Sequence, residues 1–178
     1  MAQQQHGPAG RYPAIAAEIA EMAEKDQEMR RAAAAARSRW DADLDRRHTA
    51  RMKEIVAQIG WPAASKVGRH TAHLAWLLVQ HADQDVDFQR ECLRLMREAP
   101  EGEVSRADAA YLEDRVRVHE GRPQLYGTQF HTDERGELVP LPIEDPGRLD
   151  ERRAAAGLQP LAEYEQLIRQ AAPRPPAS

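Results

Sequence analysis

Cysteine is nearly absent from the sequence, which has only Cys92 among its 178 residues. A single thiol cannot form an internal disulfide, and it cannot supply a thiolate cluster for a metal. Cys92 falls on the inward stripe of a predicted helix, where we expect a small apolar core residue rather than a nucleophile. This usage leaves the redox compartment open and favours a reducing cytosol.

Long hydrophobic runs are also missing. The longest, LAWLLV at residues 74–79, is far too short to cross a bilayer. The first residues, MAQQQHGPAGRYP, lack the basic and apolar regions of a secretory signal. We therefore expect a cytoplasmic protein that binds no membrane.

Neither sign of charge dominates the chain. Its formal net charge is -4 and its pI is about 6.0, so no basic field favours binding to nucleic acid. Hydrophobic residues make up 42% and charged residues 30%, which is typical of a soluble helical protein. The length fits a single domain, which we predict at residues 12–171, between mobile tails at 1–11 and 172–178.

Motifs that mark common catalytic sites are absent as well. The sequence has no GxSxG elbow, no GxxxxGK[ST] phosphate loop, no dinucleotide-binding glycine fingerprint and no CxxC pair. We expect no cofactor. A metal site is the alternative left open, because imidazoles and carboxylates crowd one helix end at His70, His73, His81, Asp83, Asp85 and Asp87. Their spacing matches neither HExxH nor a calcium loop, so we expect no metal ligands.

Helical spacing of apolar residues predicts a mainly α fold, a bundle of about five helices with one β-hairpin and a short C-terminal helical segment. Glycine and proline residues set most of the helix boundaries. The predicted helices run from Pro13 to about Arg37, Trp40 to Ile59, Ala63 to Ala82, Val86 to Arg97 and Ser105 to Gly121. Two shorter helical segments follow at 147–156 and 161–171.

The predicted hairpin is unusually polar. Strand alternation would place Gln124, Tyr126, Thr128 and Phe130 on one face of its first strand, and DERG at 133–136 would form the turn. Gly127 would permit a close backbone approach. Such a strand either lines a pocket or is an edge strand with a solvated face.

Polar residues occupy apolar stripes of three predicted helices: Asp26 on the first, His48 on the second and His81 on the third. Asp26 follows Ile19 and Met22 on the first helix, where an isolated buried carboxylate would be costly. Arg30, one turn later, or Arg115 on the fifth helix would neutralise it. His81 continues the stripe of the third helix to its C-terminus, where it would act as an acid or base or simply cap carbonyls.

Seven separated segments resemble a bacterial family catalogued only as a domain of unknown function. They are DQEMR (26–30), IGWP (59–62), QHAD (80–83), DRV (114–116), GRPQLYGTQF (121–130), PIEDP (142–146) and ERRAAAGLQPLAEY (151–164). The resemblance covers most of residues 15–168 and implies a common fold, but no established activity. The resemblance favours a functional role for the polar residues in these segments, above all for His81 and the YGTQ strand.

The leading hypothesis is a small cofactor-independent enzyme that acts by acid–base chemistry on a polar small molecule or modified peptide, as a hydrolase, lyase or cyclase. His81 would be the acid or base, oriented by Asp83 or Asp26, and Tyr126 the second proton donor. These side chains would share one cleft with the predicted substrate-binding residues Arg30, Gln80, Asp114, Arg115, Gln124 and Gln129. A non-catalytic binding or immunity-type protein and a metalloenzyme built on His81 are the alternatives.

Overall fold

The structure is a computed structural model that describes residues 10–35 and 40–171. The predicted end of the first helix at Arg37 and nearly all of both predicted tails lie outside these ranges. Within the first tail, Arg11 donates its backbone N–H to the carbonyl of Ser65 at 3.1 Å. That segment of the chain therefore contacts the folded body.

The described ranges contain eight α-helices and one two-stranded antiparallel sheet, so the mainly α prediction with a hairpin is confirmed. None of these helices combines the length and hydrophobicity needed to cross a membrane. The helices are α1 (Pro13–Ala34), α2 (Ala42–Ile59), α3 (Ala64–Val67), α4 (Arg69–Gln80), α5 (Val86–Glu98), α6 (Arg106–His119), α7 (Leu149–Ala155) and α8 (Leu161–Ala171). The strands are β1 (Phe130–Thr132) and β2 (Leu138–Pro140), and a 3-10 turn spans Pro146–Arg148.

The chain divides into two compact units, Met1–Leu112 and Glu113–Ser178, and the division falls inside α6. Single-domain organisation over 12–171 stays a prediction. In the first unit α4 is the central helix and packs against α1, α2, α3 and α5. Apolar residues on several sides of α4 explain this position, because Ala75, Leu78 and Val79 are all buried. Each large apolar side chain buried in this way stabilises the unit by about 1.5–3 kcal/mol.

Two predicted helix boundaries in the first unit were wrong. The helix expected from Ala63 to Ala82 is broken at Gly68, whose φ of +86° favours glycine and ends α3. The second helix begins at Ala42 rather than Trp40, because Asp41 is its N-cap and accepts from two backbone N–H groups at 3.0 Å. Ser105, at the predicted start of the fifth helix, caps α6, because its hydroxyl accepts a 3.2 Å hydrogen bond from the backbone N–H of Asp108.

In the second unit the hairpin is shorter than predicted. β1 and β2 pair from Phe130 opposite Pro140 to Thr132 opposite Leu138, and Asp133 accepts from two backbone N–H groups of the turn. Residues 124–129 form a loop and not the predicted start of the strand, so the expected alternation of faces was wrong there. Gly127 has φ +65°, and a Cβ on it would lie 3.1 Å from Leu161 Cδ1. The predicted close approach at Gly127 is therefore present.

Candidate functional site

A hydrogen-bonded Asp–His pair lies in the first unit, between α1 and the C-terminal end of α4. Asp26 Oδ2 lies 2.8 Å from His81 Nδ1, although 55 residues separate the two in sequence. Asp26 is 1% exposed, whereas the His81 side chain is 16% exposed. α1 packs along α4, so a carboxylate in the apolar stripe of α1 meets the residue that caps α4.

Three donors hold the Asp26 carboxylate. Arg30 Nε donates to Oδ1 at 2.9 Å, Gln27 Nε2 donates to Oδ2 at 2.9 Å, and His81 is the third. Burial opposes ionisation of Asp26, but its hydrogen bonds with His81 and Arg30 and the charge of Arg30 outweigh burial and keep the pKa of Asp26 below the usual value. The carboxylate is therefore a fixed anion at neutral pH.

Arg30 is itself held by a second carboxylate. Its Nη2 donates to Asp45 Oδ1 at 3.1 Å, and the Trp40 ring lies 4.6 Å from the guanidinium carbon. Burial raises the pKa of Asp45, and the Arg30 charge opposes that rise. Sequence reasoning missed Asp45, because its partner lies on another helix and no local spacing indicates the pairing.

Because Nδ1 of His81 bonds to Asp26, its Nε2 is the ring nitrogen left for proton transfer. A carboxylate on Nδ1 fixes the tautomer that carries its proton there, so that Nε2 has the free lone pair. Within residues 10–35 and 40–171, Nε2 has no hydrogen-bond partner. This arrangement can take a proton from a bound group and return it.

His48 on α2 is a buried histidine of the first unit and lies outside the predicted site. It is 8% exposed, and its Nδ1 has no hydrogen-bond partner in the described part of the chain. Burial lowers the pKa of His48, and the nearby carboxylates of Asp26 and Asp45 only partly oppose this. Its position in the apolar stripe of α2 was the signal that could have indicated burial.

The His48 environment predicts a loss of stability on mild acidification. Because the pKa of His48 is lowered in the folded chain from 6.5, the unfolded chain binds the proton first. The His48 contribution to stability is therefore complete above pH 6.5 and is lost as the pH falls through 6.5 toward the folded-state pKa. Urea unfolding well above and well below this pH should show a larger loss for the wild type than for His48→Gln. Equal losses would assign the pH dependence to other groups.

Two other predicted residues lie close to His81 in sequence. Gln80 is 6% exposed and its Oε1 has no hydrogen-bond partner among the described residues. Asp83 is exposed, and Gln89 Nε2 lies 3.5 Å from its Oδ1. Of the two carboxylates considered as orienting groups, Asp26 is the one whose hydrogen bond to His81 the structure shows.

In the second unit, Asp114 organises the loop at 124–129. The completely buried Asp114 carboxylate accepts hydrogen bonds from the backbone N–H groups of Leu125, Tyr126 and Thr128 and from the Thr128 hydroxyl, at 2.7–3.1 Å. Burial raises the pKa of Asp114, and these donors oppose the rise. Its environment favours a structural role over the predicted contact with substrate.

The side-chain amide of Gln124 is also used within the second unit. Its Nε2 donates to the carbonyls of Gln129 and Leu141 at 3.0 and 2.8 Å, and its Oε1 accepts from the Gln129 backbone at 2.9 Å. Gln124 is completely buried, which again favours a structural role. Arg115 Nη1 donates to Gln129 Oε1 at 3.2 Å.

Tyr126 is half-buried, and its backbone joins the same loop. Its N–H donates to Asp114 and its carbonyl accepts from Arg153. Sequence reasoning missed Arg153, which is completely buried and whose Nε donates to the Gln159 carbonyl at 2.7 Å. The single cleft expected to contain both His81 and Tyr126 stays a prediction.

Comparison with known proteins places the chain in a family. A family model matches residues 13–173, which include every candidate site residue from Asp26 to Gln129. The chain belongs to DUF6624, a family of unknown function. This confirms the resemblance noted in the sequence. Neither the curated proteins nor the solved structures include a significant match to this DUF6624 chain.

Metal ligation and a cysteine nucleophile are two further kinds of chemistry considered for this DUF6624 chain. Among residues 10–35 and 40–171, no cluster of three or more His, Cys, Asp or Glu side chains is arranged to hold a metal ion. Cys92 is completely buried, and burial raises the pKa of its thiol. Its predicted role as an apolar core residue fits this environment, because a thiol that stays protonated is a poor nucleophile.

Proposed function

We propose that this DUF6624 protein is a small acid–base enzyme in which His81, oriented by Asp26, transfers a proton to or from a polar small molecule or a modified peptide. The observation that supports it is the 2.8 Å contact between a carboxylate that is 1% exposed and an imidazole that retains partial access to solvent. The proposed chemistry requires no cofactor, and the protein would work in the cytoplasm.

The proposed chemistry follows from the tautomer of His81. Its Nε2 accepts a proton from the substrate or from a water molecule, and the imidazolium that forms is stabilised by the Asp26 carboxylate. The same Nε2 then returns the proton to a leaving group, so that no net proton is consumed. This sequence of transfers can serve a hydrolase, a lyase or a cyclase. A positioned acid–base group contributes about 10²–10⁴-fold to a rate.

The arrangement around Asp26 supports catalysis because it is pre-organised. Arg30 and Gln27 occupy acceptor sites of Asp26 that His81 does not use, and Asp45 fixes the far side of Arg30. The carboxylate therefore cannot rotate away without breaking several charge-assisted hydrogen bonds. A site supported in this way keeps the imidazole oriented throughout proton transfer.

The test is a screen of the purified chain against model esters, amides, phosphoesters and lyase substrates, followed by His81→Gln. We expect this substitution to lower kcat/KM for any substrate that turns over by about 100-fold or more. His70→Gln is the matched control, because His70 is an exposed histidine near the start of the same helix. It should leave the rate unchanged.

Three outcomes would contradict the proposal. Full activity in His81→Gln would remove His81 from the mechanism. Saturable binding of a ligand without turnover would favour the capture function instead. Loss of activity on chelation, with recovery on adding back one metal ion, would favour a metalloenzyme.

A further inference from the structure

A second Asp–His pair in the first unit borders a cleft of about 200 Å³. His73 on α4 places its Nδ1 3.0 and 3.1 Å from the two carboxylate oxygens of Asp108 on α6. Trp61, Trp76 and Met96 line the cleft and are 4–8% exposed. A buried carboxylate therefore lies beside an aromatic and apolar surface, and neither Asp26 nor His81 lines this cleft.

Asp108 has more acceptor capacity than its surroundings use. A carboxylate offers about four acceptor positions, and within the described part of the chain the Asp108 oxygens contact only His73 Nδ1. Asp108 is 7% exposed, and burial raises its pKa against the opposing effect of His73. Unused acceptors on a buried carboxylate are costly, and a donor bound in the cleft would relieve that cost.

We propose that this cleft binds a small planar ring bearing N–H donors, such as an amidine or an amino-substituted heterocycle, with the donors on Asp108 and the ring against Trp61 and Trp76. The site is independent of the acid–base function proposed for His81. Its occupant would be a ligand or substrate fragment recognised by shape and by one carboxylate.

The size and charge of the cleft support this class of ligand. Its volume is below the roughly 300–1,000 Å³ of drug-sized sites, while a cavity of about 150 Å³ holds benzene, so one ring fits. Arg69 and Glu103 also line the cleft, and their opposite charges offset each other. Asp108 adds a carboxylate to the lining, which favours a ligand that donates hydrogen bonds. Indole faces favour flat cations over anions.

The experiment compares benzamidine with benzoate, which has a similar shape but the opposite charge, on the full chain by NMR. The chain has three tryptophans, whose indole N–H resonances can be assigned with single Trp→Phe variants. We expect benzamidine to shift the Trp61 and Trp76 signals saturably and to leave Trp40, which does not line the cleft, unchanged. Benzamidine should bind about tenfold or more tightly than benzoate.

Three variants test the assignment. Asp108→Asn should weaken benzamidine binding about tenfold, whereas Asp87→Asn, at an exposed position of α5, should not change it. Ala72→Leu fills the cleft without touching the carboxylate and should abolish binding. Equal affinity for benzamidine and benzoate, tighter binding of benzoate, or unchanged affinity in Asp108→Asn or Ala72→Leu would overturn the proposal.

Discussion

Asp114→Ala is expected to lower the free energy of unfolding by about 3 kcal/mol or more, because four donors, two of them buried, lose their acceptor at once and each buried unsatisfied donor costs about 1–3 kcal/mol. The donors are the backbone N–H groups of Leu125, Tyr126 and Thr128 and the Thr128 hydroxyl. Thr128 is 6% exposed, so water cannot readily replace the lost carboxylate there. The loop at 124–129 should open with the substitution.

Urea unfolding measures the stability change, and hydrogen exchange of the amides at 125–128 shows where it occurs. Asp133→Ala is the matched control, because Asp133 also accepts from backbone N–H groups, at 2.8 and 2.9 Å, but in an exposed hairpin turn. There water can take over as acceptor, so we expect a loss below about 1 kcal/mol. A loss in Asp114→Ala no larger than in Asp133→Ala would show that the loop does not depend on this carboxylate.

The helices were predictable because their signal is local. Apolar spacing placed α1, α2 and α5 within a few residues, and the polar interruption at Asp26 correctly indicated a buried carboxylate that needs a partner. Arg30 was predictable as that partner, since it lies one turn away on the same helix. Contacts between residues three or four positions apart on one helix can therefore be predicted from sequence.

Pairings between distant segments were not predictable. Asp26 was one of two carboxylates considered as the partner of His81, but no local spacing could choose between Asp26 and Asp83. The loop at 124–129 was misassigned because its N–H donors bond to Asp114, which is not a strand neighbour.

The motifs at 121–130 and 151–164 have a structural link, since Arg152 Nε donates to the Leu125 carbonyl at 2.8 Å.

The environment of His73 depends on a residue of another helix. His73 was not expected to be a metal ligand, and its side chain is 51% exposed. His73 also contacts Asp108 and lines a cleft, and the spacing of apolar residues in the sequence does not reveal this cleft. A histidine therefore cannot be classed as surface or site from its own helix alone.

Asp26→Asn is expected to reverse the tautomer of His81. In the wild type Arg30 Nε bonds to Oδ1, and His81 and Gln27 share Oδ2. Arg30 can only donate, so the single amide oxygen of the variant should stay on Arg30 and its NH₂ group should face His81. Nδ1 of His81 must then accept, and the ring proton moves to Nε2. The free lone pair that a general base requires is lost.

Nitrogen NMR of His81 measures the tautomer directly and needs no known substrate. For any substrate that turns over, kcat/KM should fall by about 10²–10⁴-fold. Asp45→Asn is the matched control, because it alters the far side of Arg30 while leaving the Asp26–His81 bond in place. That variant should keep the Nδ1–H tautomer. If Asp26→Asn also keeps it, the carboxylate does not orient the imidazole, and the acid–base role of the pair would be lost whatever the activity. If the tautomer reverses but turnover is unchanged, His81 is oriented by Asp26 yet is not the catalytic base.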